Sequence, residues 1–123
     1  TKVIYIKNNS NKKFIIIDAG MNDLIRPALY NATHDIIPLN KKSFRNFKSH
    51  DFVGPICETS DRFLKTKNYQ KINEGDSLAI KDVGAYGIVL SSNYNLRPRP
   101  VEYIIENSKI KKISKKQKLN DII

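Results

Sequence analysis

The sequence contains no tryptophan, one cysteine and two histidines among its 123 residues. A single cysteine, Cys57, excludes an internal disulfide and a zinc site built from several thiolates. It is typical of a reducing compartment and predicts a cytoplasmic location. His34 and His50 have no metal-ligand spacing to each other or to Cys57, so we expect no metal site. No apolar stretch approaches the ~18 residues of a membrane span, and none near the start resembles a secretory signal.

Acidic residues are also scarce, with 12 Asp and Glu against 22 Lys and Arg and a formal net charge of +10. Such a balance is compatible with a nucleic-acid partner. However, the lysines are scattered or lie in turn-like segments such as residues 11–13 and 40–42. The sequence has neither a zinc knuckle nor an aromatic-basic RNA-binding signature. We therefore expect no nucleic-acid partner and no membrane partner.

The hydrophobic pattern predicts one mainly β domain over residues 1–123, barrel-like or sandwich-like, with short helical turns. A hairpin is predicted at the start and another at the end, and Pro27 restricts the segment around it to a helical turn or a structured loop. Residues 61–64 suggest one helical turn. Strands are predicted at residues 3–6, 14–17, 34–39, 44–52, 77–82, 88–90, 101–105 and 109–113, with a basic turn through residue 42.

Residues 54–61, G-P-I-C-E-T-S-D, follow the apolar end of a predicted strand and place a thiol next to a carboxylate. Two interpretations stay open from the residues alone. In the first, the segment is a plain turn with a buried Cys57 and a solvated Glu58, as is common for these residue types. In the second, the Gly-Pro pair fixes the backbone so that both side chains are delivered to a functional site.

Three further residues combine polar groups with apolar or glycine-rich surroundings. Arg26 and Tyr30 are four residues apart and would share a face of a helical turn. A guanidinium beside a phenol suits a carboxylate ligand, although an ordinary ion pair and a packing tyrosine explain them equally well. Tyr86 lies between Gly84 and Gly87, where a large ligand such as a phosphate could approach the backbone. The alternative is an aromatic that packs at a strand end.

Four blocks of sequence carry a family resemblance. They are D-A-G-M-N-D-L-I-R-P-A-L-Y at residues 18–30, G-P-I-C-E at 54–58, D-V-G-A-Y-G at 82–87 and S-N-Y-N-L-R-P-R-P at 92–100. In this order and spacing, the chain resembles the C-terminal domain of the diaminopimelate decarboxylases. These are pyridoxal-phosphate enzymes of the alanine-racemase-like fold type. The resemblance spans nearly the whole chain.

The resemblance implies a function and a set of site residues. Enzymes of this family remove the carboxylate at the D centre of meso-2,6-diaminopimelate and release L-lysine and carbon dioxide. Arg26 and Tyr30 would bind the distal carboxylate of the substrate, and Glu58 its distal ammonium group. Tyr86 would contact the phosphate of pyridoxal 5'-phosphate, and Cys57 would take part in protonation. Cys57 and Glu58 would serve the active site of the partner subunit in a homodimer.

The sequence departs from the family in two respects. Thr59 and Ser60 replace the Ser-Gly or Ser-Ser pair that usually follows Cys-Glu, which we interpret as tolerated variation. The family's TIM-barrel domain, which bears the lysine that binds the cofactor, has no counterpart in these residues. We therefore expect this polypeptide alone to be inactive. The alternative function is a standalone basic β domain that binds a polyanion or another protein.

Overall fold

The structure, a computed structural model, describes residues 1–40 and 45–123, and the predicted basic turn at 41–42 and the start of the predicted strand at 44 lie outside them. The described residues are mainly β, as predicted. The strands are β1 (Val3–Asn8), β2 (Lys12–Ile17), β3 (Ile36–Pro38), β4 (Arg45–Asn46), β5 (Ser49–Val53), β6 (Arg62–Thr66), β7 (Tyr69–Gln70), β8 (Leu78–Ile80), β9 (Tyr103–Glu106) and β10 (Lys109–Lys112), and the helices are α1 (Arg26–Tyr30) and α2 (Ala85–Val89).

A four-stranded sheet in the order β1-β2-β5-β6 forms the largest unit. The first two strands make the predicted opening hairpin, β2 pairs with β5 in parallel, and β6 returns antiparallel to β5. Alternation along β2 buries Ile15 and Ile17, and Phe52 of β5 is fully buried beside them. Because β5 is central and ends at Val53, the residues that follow it leave the sheet at one edge.

The remaining described strands form three two-stranded ribbons, β3 with β8, β4 with β7, and β9 with β10. Within the described ranges the strands do not close into a barrel. The β9–β10 ribbon is the predicted closing hairpin, and its turn residues Asn107 and Ser108 both adopt positive φ angles. All eight residues of its two strands are exposed. An isolated two-stranded ribbon is marginally stable in water, so a surface that covered this ribbon would stabilise it.

Two local predictions are wrong. Residues 61–64 do not form a helical turn, because Arg62–Thr66 is strand β6, in which Phe63 is buried while Arg62 is exposed. Residues 88–90 do not continue a strand, because Ala85–Val89 is helix α2. In both segments, pairing or packing against the rest of the molecule overrides the local preference of the sequence.

Helix α1 is the helical turn predicted around Pro27. The proline lies in the first turn of the helix, where a missing N–H costs no helical hydrogen bond. Asn31 ends the helix in the left-handed conformation, and its N–H donates to the Arg26 carbonyl. Both α-helices have five residues, so no helix formed by the described residues is long enough to cross a membrane.

Candidate functional site

Three loops that are distant in the sequence meet at one edge of the main sheet. They comprise residues 18–23, 54–61 and 91–97. The Met21 N–H donates to Asp61 Oδ1 at 2.7 Å, which joins the first loop to the second. The Ser92 N–H donates to the Asn22 carbonyl at 2.9 Å, which joins the third loop to the first. Three of the four sequence blocks that carry the family resemblance, those at 18–30, 54–58 and 92–100, are therefore neighbours in space.

Asp61 fixes the conformation of the 54–61 loop. Its carboxylate accepts hydrogen bonds from the N–H groups of Met21 and Ile56, both at 2.7 Å. The Asp61 carbonyl accepts from the Gly54 N–H at 2.9 Å, which closes the base of the loop. A Cβ atom at Gly54 would lie 2.2 Å from Asp61 Oδ2, so only glycine fits beside this carboxylate. Asp61 therefore holds the base of the loop from inside.

The tip of this loop, residues 57–60, is exposed, while Ile56 and Asp61 on either side are buried. Cys57 is a free and exposed thiol, so the interpretation that buries it in a plain turn is wrong. Glu58 is exposed beside it. The Glu58 carboxylate accepts a hydrogen bond from the Tyr94 hydroxyl, and the Ser60 hydroxyl lies 3.5 Å from Glu58 Oε2.

Tyr94 begins a 3-10 turn, Tyr94–Leu96, in which Asn95 adopts a left-handed conformation with φ 55° and ψ 33°. Asparagine tolerates this conformation better than most residues. The hydrogen bond to Glu58, together with the negative charge of that carboxylate, raises the pKa of the Tyr94 hydroxyl. Tyr94 therefore remains a hydrogen-bond donor at neutral pH.

Arg97 fastens the 91–97 loop to the first loop. Its Nε donates to Asn22 Oδ1 at 3.0 Å, and its Nη2 donates to the Asp18 carbonyl at 2.5 Å. Nη2 also lies 3.8 Å from Asp23 Oδ2. Burial raises the pKa values of Asp23 and Asp61, and the positive charge of Arg97 opposes that rise in both. Arg97 thus stabilises the half-buried carboxylate of Asp23 and the buried carboxylate of Asp61, which shape the loops.

Arg26 and Tyr30 are the first and last residues of α1, which follows the 18–23 loop closely. The Arg26 side chain is half-buried, and its Nε is fully buried without a hydrogen-bond partner among the described residues. A buried guanidinium N–H without an acceptor is costly. Tyr30 has an exposed fraction of 60%. The pair thus presents an unsatisfied donor and a phenol that is open to a ligand.

Tyr86 lies in the first turn of α2 and has an exposed fraction of 63%. The helix packs through Gly87, where a Cβ atom would lie 2.2 Å from Val83 Cγ1 and 4.0 Å from Leu24 Cδ1. This contact places α2 next to the chain that leads into α1. Gly84, which precedes α2 with φ 60°, has open space where a side chain would begin.

Two of the predicted site residues, Cys57 and Glu58, lie on one of the three loops, whereas the others lie on α1 and α2. Glu58 and Cys57 share the exposed tip, and Glu58 also lines a cavity of 230 Å³ between the three loops. Among the described residues, neither Arg26, Tyr30 nor Tyr86 hydrogen-bonds to Glu58. The cavity is lined by Met21, Asn22, Ile25, Glu58, Ser92 and Tyr94.

The sequence interpretation missed Tyr94, Arg97 and Asp61. Each of them acts through contacts with residues more than 30 positions away, such as Tyr94 with Glu58 and Asp61 with Met21. The available signal was local: Tyr94 stands between two asparagines, a pattern typical of tight turns. That pattern predicts a turn without naming the partner of the tyrosine.

Comparisons with known proteins identify the family of the chain. The family model for the pyridoxal-dependent decarboxylase C-terminal sheet domain matches residues 1–84. A diaminopimelate decarboxylase of Helicobacter pylori strain J99 is 47% identical over 122 residues, covering 99% of this chain and 30% of that protein. One from Aquifex aeolicus is 45% identical over 123 residues, covering 100% of this chain and 29% of that protein.

A solved structure gives the same result. The crystal structure of diaminopimelate decarboxylase from Helicobacter pylori complexed with L-lysine matches with a TM-score of 0.87 and 44% identity, covering 98% of this chain and 29% of that one. The resemblance found in the sequence is confirmed, and it includes Tyr86 and the 91–97 loop, which lie beyond residue 84. The chain spans about 30% of the length of the curated relatives it matches.

Proposed function

The chain belongs to the pyridoxal-dependent decarboxylases, whose C-terminal sheet domain it matches, and we propose that it forms this part of an enzyme that converts meso-2,6-diaminopimelate to L-lysine and carbon dioxide. The whole-chain identity of 45–47% with diaminopimelate decarboxylases supports the proposal most. The L-lysine bound by the Helicobacter pylori relative fits it, because lysine would be the product. The same similarity disfavours an independent basic domain.

Arg26 and Tyr30 are proposed to bind the distal carboxylate of the substrate. The half-buried Arg26 side chain supports this role, because its Nε has no acceptor among the described residues and a carboxylate on the guanidinium would offset the cost of burying the charge. A guanidinium can hold both carboxylate oxygens, and the exposed Tyr30 hydroxyl can donate a further hydrogen bond. An amino acid without the second carboxylate would leave the arginine unsatisfied and would bind poorly.

Glu58 is proposed to bind the distal ammonium group, and the neighbouring Cys57 to move a proton at the reacting carbon. The exposure of both side chains on a loop whose base is held by Asp61 supports a role in a site that other polypeptide completes. We propose that the polypeptide that completes the site is the second subunit of a homodimer. Each chain would then supply Cys57 and Glu58 to the pocket of its partner.

Tyr86 is proposed to contact the phosphate of pyridoxal 5'-phosphate, the cofactor that the family implies. The residues present fit one edge of such a group, because the Tyr86 hydroxyl is exposed and Gly84 leaves the adjacent backbone open. When bound, the cofactor accepts the electron pair that remains as carbon dioxide departs. The contribution of this chain is to orient the substrate by its distal end.

Residues 1–123 are proposed to act as one domain that packs on the rest of the enzyme. Hydrogen bonds from Arg97 and Ser92 to the 18–23 loop support a single unit. The exposed β9–β10 ribbon supports an extended docking surface, because a surface that covered it would stabilise it. The exposed large apolar residues of the ribbon are Tyr103, Ile104, Ile105 and Ile110, and Ile113 follows directly after it.

The test is lysine release by the full-length enzyme that contains this chain. We expect turnover of meso-diaminopimelate in the presence of pyridoxal phosphate. Ornithine and arginine lack a distal carboxylate and would leave polar groups of the site unsatisfied. Their kcat/KM should therefore be lower by about 100-fold or more. Arg26→Ala should remove most of this preference. Equal turnover of all three substrates would refute the proposal. The 123-residue chain alone should release no lysine.

A further inference from the structure

We infer that Tyr94 is a positioning residue that fixes the Glu58 carboxylate for the distal ammonium group of the substrate, and so contributes to the choice of substrate. This inference rests on the proposed role of Glu58. Tyr94 itself does not touch the ammonium group. Its hydroxyl holds Glu58 Oε1, whereas Oε2 has, among the described residues, only the Ser60 hydroxyl at 3.5 Å and keeps a second lone pair for a ligand.

The hydroxyl of Tyr94 reaches Glu58 from a well-anchored turn. Asn93 Nδ2 donates to the Arg97 carbonyl at 2.8 Å and to Gln117 Oε1 at 2.7 Å, which closes the turn and ties it to the C-terminal segment. The Ser92 N–H holds the start of the turn to Asn22. Glu58, by contrast, is an exposed residue at a loop tip with the freedom of a long side chain.

The chemistry of the pair suits this arrangement. A phenol hydroxyl donates a charge-assisted hydrogen bond to a carboxylate, which removes the rotational freedom of the glutamate without neutralising its charge. The carboxylate is then preorganised for a cation, so that less conformational entropy is lost on binding. Both residues line the 230 Å³ cavity between the three loops.

The experiment compares two substrates in the full-length enzyme. One is meso-diaminopimelate, and the other is D-2-aminopimelate, which keeps the reacting D centre and the distal carboxylate but lacks the distal amino group. Tyr94→Phe removes only the hydroxyl and keeps the ring. We expect kcat/KM for diaminopimelate to fall about tenfold, mainly through KM, because the bond is charge-assisted but Tyr94 is 47% exposed. The value for D-2-aminopimelate should change less than about twofold.

Two further variants complete the design. Tyr5→Phe removes the hydroxyl of another exposed tyrosine, on β1, and should change neither value. Glu58→Gln should lower kcat/KM for diaminopimelate selectively, and adding Tyr94→Phe to it should have little further effect, because the two residues act as a unit.

The outcomes separate the inference from the function on which it rests. An equal loss on both substrates with Tyr94→Phe would mean a structural role and would overturn the inference, as would no loss on either. If Glu58→Gln is selective while Tyr94→Phe is not, only the inference about Tyr94 falls. If Glu58→Gln is itself unselective, the proposed ammonium site and the inference both fall.

Discussion

Replacing Asp61 by alanine should release the 54–61 loop from the body of the molecule. The carboxylate holds the N–H groups of Met21 and Ile56 at 2.7 Å and is 2% exposed. Hydrogen bonds to a charged group are worth about 1.5–3 kcal/mol each, or about 3–6 kcal/mol for the two. Burial raises the pKa of Asp61 because desolvation of the charge outweighs these hydrogen bonds, so the loss on truncation comes mainly from the two N–H groups left without an acceptor. We expect a net loss of about 2–4 kcal/mol in local stability.

Hydrogen exchange of the full-length enzyme measures this loss where it occurs. Opening of the loop by about 2–4 kcal/mol corresponds to about 30- to 1,000-fold faster exchange of the Met21 and Ile56 amides. Asp35→Ala is the matched control, because Asp35 is an exposed aspartate whose removal should change little. Asp61→Asn keeps one acceptor oxygen and should give an intermediate result. Equal exchange in the Asp61→Ala and Asp35→Ala variants would refute the claim that Asp61 holds the loop.

Other predictions concern a tyrosine and a glycine. Burial, assisted by the charge of Asp35, raises the pKa of Tyr69 from 10 to about 12, so its contribution to stability is complete below pH 10 and is lost between pH 10 and about 12. Ultraviolet titration of the wild type should show a tyrosine ionisation step near pH 12 that the Tyr69→Phe variant lacks. A wild-type titration without this step would contradict the prediction. Gly87→Ala would press a Cβ against Val83 and should destabilise α2 by about 1–3 kcal/mol. The affinity for pyridoxal phosphate should then fall through displacement of Tyr86, and unchanged affinity would contradict this expectation.

The sequence predicted the fold class because its strongest signals are periodic and local. The opening hairpin and the closing hairpin were found from runs of β-branched residues separated by turn residues, and both are present. Helix α2 was missed because Ile88 and Val89 favour strands, whereas the helix depends on the close approach of Gly87 to Val83. Strand β6 was missed because residues 61–64 suggested a helical turn, whereas the strand depends on its antiparallel pairing with β5.

The candidate site was predictable only in part. The blocks around Arg26, Cys57 and Tyr86 were recognised from the sequence, and their roles remain proposals. The sequence does not reveal that Tyr94 holds Glu58, because that contact spans 36 positions and depends on the folded loops. Recognition of a block thus identifies candidate ligand-binding residues, whereas the residues that orient them can be found only from the structure.

The most direct test of the central claim, that this chain contributes residues to a pocket completed by a second subunit, is a mixing experiment. Full-length Arg26→Ala and Glu58→Ala enzymes should each be nearly inactive alone. After dissociation and reassociation together, half of the dimers are hybrids and each hybrid has one intact pocket, so about a quarter of wild-type lysine release should return. No recovery of activity, with hybrid dimers verified, would contradict the claim.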